Sequence, residues 1–357
     1  MKKVNIILFG IGNVGSTLIE QLLSAKVQWE KHSGISVSIP VIANSSKALL
    51  NAEGISGNWE KDFKKSATDY KLEDILDFTK ENDLEHLIAI DATASKEFVD
   101  IYMRLIQNGF NLVAANKVAN TLSADFYKKI RKELDKHGKH FFYETNVGAG
   151  LPIVQTVQGL HQAGEKVTKI RGVFSGSLSF IFNTFSENKE KFSDVLKKAG
   201  NLGYTEPDAR EDLSGNDVGR KLLILARELQ LDKEFQEVKI QPLIPEKLNG
   251  ETSAEEFQNR ISELDEIFNQ HKKEQDQGHV LRYIGEIEVE SGTLEAKLIS
   301  ESKNTPLGQI KGADNIFEIY TKSYGDQPLV IQGAGAGAQV TARGVASDVL
   351  KLSQRLN

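Results

Sequence analysis

Gly10-Ile11-Gly12-Asn13-Val14-Gly15 stands directly after an apolar run, Val4 to Phe9, and directly before a stretch in which Val14, Leu18 and Leu22 recur with Ile19 and Leu23 on one face. Glycines at that spacing, between a strand and an amphipathic helix, leave few folds open. The first permits a tight turn, the second lets a pyrophosphate approach the backbone, and the third lets helix lie close to strand, with the helix N-terminus facing the negative charge. A turn that merely needs positive φ would account for a lone match. The strand before it and the helix after it point instead to a dinucleotide-binding unit formed by Gly10, Ile11, Gly12, Asn13, Val14 and Gly15.

The same alternation continues to about residue 150. Val37 to Ala43, Leu87 to Ala92, Leu112 to Ala115 and Phe141 to Tyr143 read as strands, and Phe126 to Leu134 as a connecting helix, which predicts a parallel α/β sheet. After Pro152 the rhythm changes. Helical patterns at Ile153 to His161, Phe192 to Leu202, Val218 to Leu229 and Ala254 to Gln275 surround strand candidates at Val167 to Phe174, Val280 to Val289, Leu294 to Ser300 and Ile316 to Tyr324, with Ser291-Gly292 as a hairpin turn. The expected fold is therefore α/β: a Rossmann-type domain over 1–150, and a second α+β substrate-binding and dimerisation domain over 151–333. A final strand at Leu329 to Gln332, a glycine loop and a helix to Leu356 are expected to return, so that 334–357 completes the first domain.

Composition removes several classes of function. With no cysteine among 357 residues, disulfides, thiolate metal sites and cysteine nucleophiles are excluded. The seven histidines are scattered, and the nearest pair, His137 and His140, lies where a helix ends and a strand begins, which does not suit a zinc cluster. A net charge of −6 gives no basic footprint for nucleic acid. No apolar run approaches the ~20 residues of a membrane span, and Met1-Lys2-Lys3 leads straight into a strand and not into a signal sequence, so a cytoplasmic protein with small-molecule partners is expected.

At the end of the second strand, where an acid would hold the ribose 2′-hydroxyl of NAD, the chain reads Asn44-Ser45-Ser46-Lys47. Neutral donors and a lysine suit a 2′-phosphate, so NADP(H) is expected, with NAD(H) as the alternative and ordinary turn chemistry as the bland explanation. The densest chemical signal lies further on, from Gly203 to Lys221. Glu206, Asp208, Glu211, Asp212 and Asp217 alternate there with Arg210, Arg220 and Lys221 just before an apolar helix. Asp217 and Lys221 are four apart, so their side chains share a helix face and can pair; taken alone, that describes equally a surface ion pair.

At these residues the chain resembles the homoserine dehydrogenase family. Gly10 to Gly15, Asn116-Lys117, Tyr143 to Pro152, Gly172 to Ser179, Gly203 to Lys221, Arg282 to Gly285 and the Gly333 to Gly337 loop look like that family's motifs in order, most closely the dehydrogenase half of bifunctional aspartokinase-homoserine dehydrogenases. The resemblance implies interconversion of aspartate β-semialdehyde and homoserine by a homodimer. Lys221 would be the acid/base residue with Asp217 beside it, Glu206 and Asp217 would bind the substrate ammonium, and Asp212 would line the same site. Lys117 would lie between nicotinamide and substrate, and Asn44, Ser45, Lys47, Thr93 and Gly337 would join the glycine loop in holding the cofactor. A monovalent cation, Na+, is implied at Glu144, Val147, Ala149 and Leu151, held chiefly by backbone oxygens. The chemistry is coherent, since reducing an aldehyde leaves an alkoxide that a positioned ammonium can protonate. Gly219 departs from what a rigid catalytic helix would use, at up to ~1 kcal/mol relative to alanine.

Two alternatives stand beside this reading. One is another NADP-dependent dehydrogenase acting on a related small aldehyde, although the metabolic neighbour, aspartate-semialdehyde dehydrogenase, needs a cysteine thioester and is excluded. A dinucleotide-sensing regulator would keep the glycine loop without needing Glu206, Asp217 and Lys221. No segment is left over for a kinase or an amino-acid effector domain, so threonine is expected only to compete with homoserine.

Overall fold

The computed structural model describes residues 1–250 and 252–356, which form two compact units: residues 1–150 together with those from 337 onward, and residues 151–336. The first unit holds β1 (Lys2–Phe9), β2 (Ile35–Ala43), β3 (Lys47–Leu50), β4 (Thr68–Asp69), β5 (Leu87–Asp91), β6 (Asn111–Ala114) and β7 (Phe141–Phe142), in the spatial order β4-β3-β2-β1-β5-β6-β7. Pairings from β2 across to β7 are parallel, as the strand-helix alternation predicts. The period of two in β1 sends Val4, Ile6 and Leu8 to one core and Ile7 and Phe9 to another. The helix Asn13–Ser33 buries Leu18, Ile19 and Leu22 in the first of these, each contributing ~1.5–3 kcal/mol, and it stops at Gly34 in the left-handed region. From β1 the order runs one way to β2 and the other way to β5. That divergence is the switch point at which sheets of this kind bind ligands beyond the strand carboxyl ends.

Residues 44 to 47 differ from the expected loop. The Asn44 side-chain oxygen accepts the N–H groups of Ser46 (2.9 Å) and Lys47 (2.7 Å), closing a turn that sends the chain back as β3 antiparallel to β2.

The second unit has β8 (Val167–Val173), β9 (Lys239–Ile240), β10 (His279–Glu288), β11 (Thr293–Ser302), β12 (Asp314–Thr321) and β13 (Leu329–Ala334), ordered β13-β12-β8-β10-β11-β9. β10 and β11 form the expected hairpin, with Gly292 at φ 64° in its turn. β12 does not extend that hairpin; it pairs with β8, and β13 pairs with β12. The last strand thus lies in the second unit's sheet, while the helix after it, Ala338–Arg355, belongs to the first unit. The single helix expected over 254 to 275 is two, Ala254–Arg260 and Leu264–Glu274, joined by a 3-10 turn. Phe257, Ile261, Leu264 and Phe268 stay buried across the break, which is why the apolar spacing reads as continuous.

Candidate functional site

In the second unit the chemistry is built from the helix Asn216–Glu228 and the segment that follows β8. Lys221 lies in the second turn of that helix with its side chain only 10% exposed. Its Nζ donates to the Phe174 carbonyl at 2.7 Å and pairs with an Asp217 carboxylate oxygen at 2.7 Å. The acid is half-exposed, so the pair adds little stability; its effect is to aim a buried ammonium. Phe174 is itself fixed, because its carbonyl also accepts from the buried Asn315 amide at 3.1 Å.

Asp212 closes the other side. Its Oδ1 accepts from the Ser177 hydroxyl at 2.7 Å and its Oδ2 from the Glu206 N–H at 2.9 Å, while Ser177 and Ser175 hydroxyls are 2.8 Å apart and Ser175 caps the helix Gly176–Glu187. One carboxylate therefore ties the loop carrying Glu206 to the loop after β8. Burial raises the Asp212 pKa above the ordinary carboxylate value, the bonds from Ser177 and Glu206 oppose that shift, and the charge of Asp217 adds to it.

A bound ammonium would pull the Asp212 pKa back down, so binding a cationic ligand there would release a proton. Affinity is then fully present above the raised pKa and is lost as pH falls through it. The Kd of an ammonium-bearing ligand held at Asp212 should climb as pH drops below neutrality, more steeply than the Kd of a dinucleotide. Parallel profiles for the two ligands would mean that Asp212 faces no bound ammonium.

The acids that look alike in sequence separate here. Asp208 forms bonds of 2.9 and 3.0 Å with Arg210 Nε, and Arg210 reaches on to the Thr252 carbonyl at 2.8 Å, so that pair fastens a loop. Glu206 is exposed and Glu211 faces outward, while Asp212 and Asp217 turn toward Ser177 and Lys221. Gly219 also gains a reason: a Cβ there would lie 2.5 Å from Ile240 Cδ1, so the glycine lets the β9 segment press on the lysine's helix.

In the first unit the glycine loop divides its labour as its spacing predicts. Gly10 sits at φ 94°, and a Cβ on it would meet the Ala92 carbonyl at 2.7 Å; a Cβ on Gly15 would lie 1.8 Å from Gly10 O. A Cβ on Gly12 meets nothing within 4 Å. Gly12 caps the Asn13–Ser33 helix without a side-chain bond, and no acid occupies the first turn, which leaves N–H donors directed at that open space. The donor set fits a pyrophosphate. Ile11 is half-buried and Asn13 exposed beside it, with Val14 packed on the core behind. Thr93 follows β5, Lys117 opens the short helix Val118–Thr121 after β6, and Ser45 and Lys47 are exposed at the β2 to β3 turn. Gly337, at φ 114°, precedes the helix Ala338–Arg355, which likewise lacks a side-chain cap and an acidic first turn.

Two models of one family match this chain: homoserine dehydrogenase, NAD binding domain, over residues 10–144, and homoserine dehydrogenase over residues 152–350. The chain is 37% identical to homoserine dehydrogenase of Saccharomyces cerevisiae over 99% of each protein. It belongs to the homoserine dehydrogenase family. It is also 42% identical to the bifunctional aspartokinase/homoserine dehydrogenase of Buchnera aphidicola over 98% of this chain, but it spans only 43% of that protein's length. A Candida auris crystal structure of a protein of unknown function superposes with a TM-score of 0.90 at 32% identity, covering 99% of both chains. The family match includes an NAD binding domain.

In this homoserine dehydrogenase family member, the first family match ends at Glu144 and the second begins at Pro152. Glu144 is buried with its N–H bonded to Asp348 at 2.9 Å, Val147 ends the 3-10 turn, and Gly148 and Ala149 both take left-handed backbone at φ 76° and 53°. Leu151 opens the second unit. Among the described residues no group of three or more His, Asp or Glu side chains is placed to hold a metal ion. No described helix is long and apolar enough to cross a membrane. Ser175 and Ser177 lie within the Gly172 to Ser179 motif, and Asp91 ends the apolar run of β5, so neither the serines nor the acid stands out from its neighbours in sequence.

Proposed function

We propose that this chain catalyses the NADP(H)-dependent interconversion of L-aspartate 4-semialdehyde and L-homoserine. The observation that carries this reading is the buried Lys221 ammonium, aimed by the Phe174 carbonyl and by Asp217, whose charge in turn acts on the Asp212 carboxylate. The nicotinamide supplies the hydride in aldehyde reduction and accepts it in homoserine oxidation. In reduction Lys221 Nζ gives a proton to the aldehyde oxygen as the C–O double bond becomes a single bond, leaving a hydroxyl and a neutral amine; in oxidation the amine takes that proton back. Asp217 keeps the lysine oriented, and Asp212, Asp217 and Glu206 offer negative charge to the substrate ammonium. Single-turnover oxidation of NADPH by the semialdehyde tests the reading; a protein that binds NADPH without oxidising it is the dinucleotide sensor instead.

The 2′-phosphate assignment is supported by Ser45 and Lys47, which stand exposed just after β2 in a segment, Asn44 to Lys47, that itself carries no acid, although Asp69 lies opposite Lys47 on β4. Lys47→Glu is expected to move the ratio of specificity constants from NADP toward NAD, because a carboxylate repels the phosphate and accepts from a free 2′-hydroxyl. An unmoved ratio would mean that Lys47 faces away from the ribose. We further propose a sodium ion at Glu144, Val147, Ala149 and Leu151, and a cytoplasmic homodimer. Replacing NaCl by choline chloride at constant ionic strength should lower turnover, and equal rates in the two salts would remove the ion.

A further inference from the structure

We propose that Asp91 is a positioning residue that fixes both loops of the dinucleotide cleft, an inference that rests on the reading of residues 10–144 as the cofactor domain. Asp91 ends β5, next to the switch point, and is 2% exposed. Its Oδ1 accepts from the Thr93 N–H at 2.8 Å, and its Oδ2 from the Tyr102 hydroxyl at 2.7 Å and the Asn116 amide at 3.0 Å. Its backbone carbonyl accepts the Ala115 N–H at 2.9 Å. One residue thus grips the loop after β5 and the loop after β6.

The β5 loop abuts the glycine turn, and the β6 loop carries Lys117. Ala92 and Thr93 are the atoms a Cβ on Gly10 would strike, at 2.7 and 2.9 Å, so the β5 loop forms the wall against which the first glycine turns. Asn116 passes the restraint onward: its amide also donates to the Ser95 carbonyl at 2.9 Å, and its oxygen accepts the Val118 N–H at 3.0 Å, which sets the backbone on either side of Lys117. Every partner of the carboxylate is a donor, so the site is built for an ionised acceptor. Burial raises the Asp91 pKa, and the bonds from Tyr102, Thr93 and Asn116 oppose the rise; burial also holds the Tyr102 hydroxyl protonated. Tyr102 is locked in turn by edge-on contacts with Phe98 and Phe141. A buried carboxylate costs stability unless its surroundings require it, and here it requires three donors to stay in place.

The test is fluorescence titration of the full chain with NADPH, without amino-acid substrate, alongside thermal unfolding. Asp91→Asn keeps the acceptor for Thr93 but sets an amide against the Asn116 amide; it should weaken NADPH binding roughly tenfold, the scale of one charge-assisted hydrogen bond. Tyr102→Phe keeps the ring and removes one donor, and should weaken binding about threefold, the scale of a single ordinary hydrogen bond. NADPH affinity that stays at the wild-type value in both folded variants, with only the unfolding temperature lowered, makes Asp91 structural and overturns the inference. Should Asp91→Asn fail to fold, the Tyr102→Phe affinity decides. A wild-type chain that binds neither NADPH nor NADH overturns the cofactor reading itself, an outcome distinct from tight binding by the variants.

Discussion

Lys221→Ala lowers turnover of homoserine by about 100-fold to 10,000-fold, the range for loss of a single acid/base group, while NADPH binding stays within about twofold. The expectation follows from what the side chain touches. The Phe174 carbonyl and Asp217 hold its buried ammonium in place, so truncation removes the amine from the point at which they aim it. Asp217→Asn gives a smaller loss, because the Phe174 bond still aims the lysine. A folded Lys221→Ala protein retaining more than about a tenth of wild-type activity would assign the proton to another residue.

The second large effect is at Gly12. A Cβ there meets nothing, whereas at Gly15 it would lie 1.8 Å from Gly10 O. Gly12→Val should therefore leave the unfolding temperature nearly unchanged and weaken NADPH binding by roughly tenfold to 100-fold, as expected when side-chain atoms costing ~1–3 kcal/mol of overlap stand where the pyrophosphate must approach. Gly15→Ala should harm stability and binding together. The contrast separates a position empty for a ligand from one empty for packing. Tight NADPH binding by Gly12→Val would mean that the phosphates lie elsewhere.

The first unit is legible wherever a strand is buried on both faces, because β1, β2 and β5 are short apolar runs bounded by turns. It becomes illegible at the sheet's margin. β4 is two exposed residues, and β3 is four residues hidden behind a turn whose closure depends on the Asn44 side chain. The helix Gly176–Glu187 escapes for a different reason: it begins Gly-Ser-Leu-Ser, which propensity disfavours, and it is secured by the Ser175 cap and by burial of Phe182 and Phe185.

At the site, the spacing of Asp217 and Lys221 foretold their pairing because a helix makes that geometry local. Nothing local distinguishes Asp208 from Asp212. Their difference arises from Thr252, which draws Arg210 and with it Asp208, and from Ser177, which engages Asp212 from the first turn of the helix Gly176–Glu187, far back in the sequence. Asp91 was illegible for the same reason, since its partners at 93, 102 and 116 meet only when β5 and β6 pair.

The route of the chain also has a consequence for its synthesis. Gln21 donates to Gln339 across 318 positions, and Ala342, Val345, Ala346, Val349 and Leu352 share one core with Leu18, Ile19 and Leu22. On the ribosome, residues 1–150 emerge with that apolar stripe uncovered, and it stays so until the continuous 151–336 unit has been made. At about 5–20 residues per second, translation of the intervening unit leaves a window of roughly ten to forty seconds in which the nascent half-domain is open to chaperones or to self-association. The segment that closes this window, the helix Ala338–Arg355, is thus both a structural element and a timing device for the folding of the unit that begins at Met1.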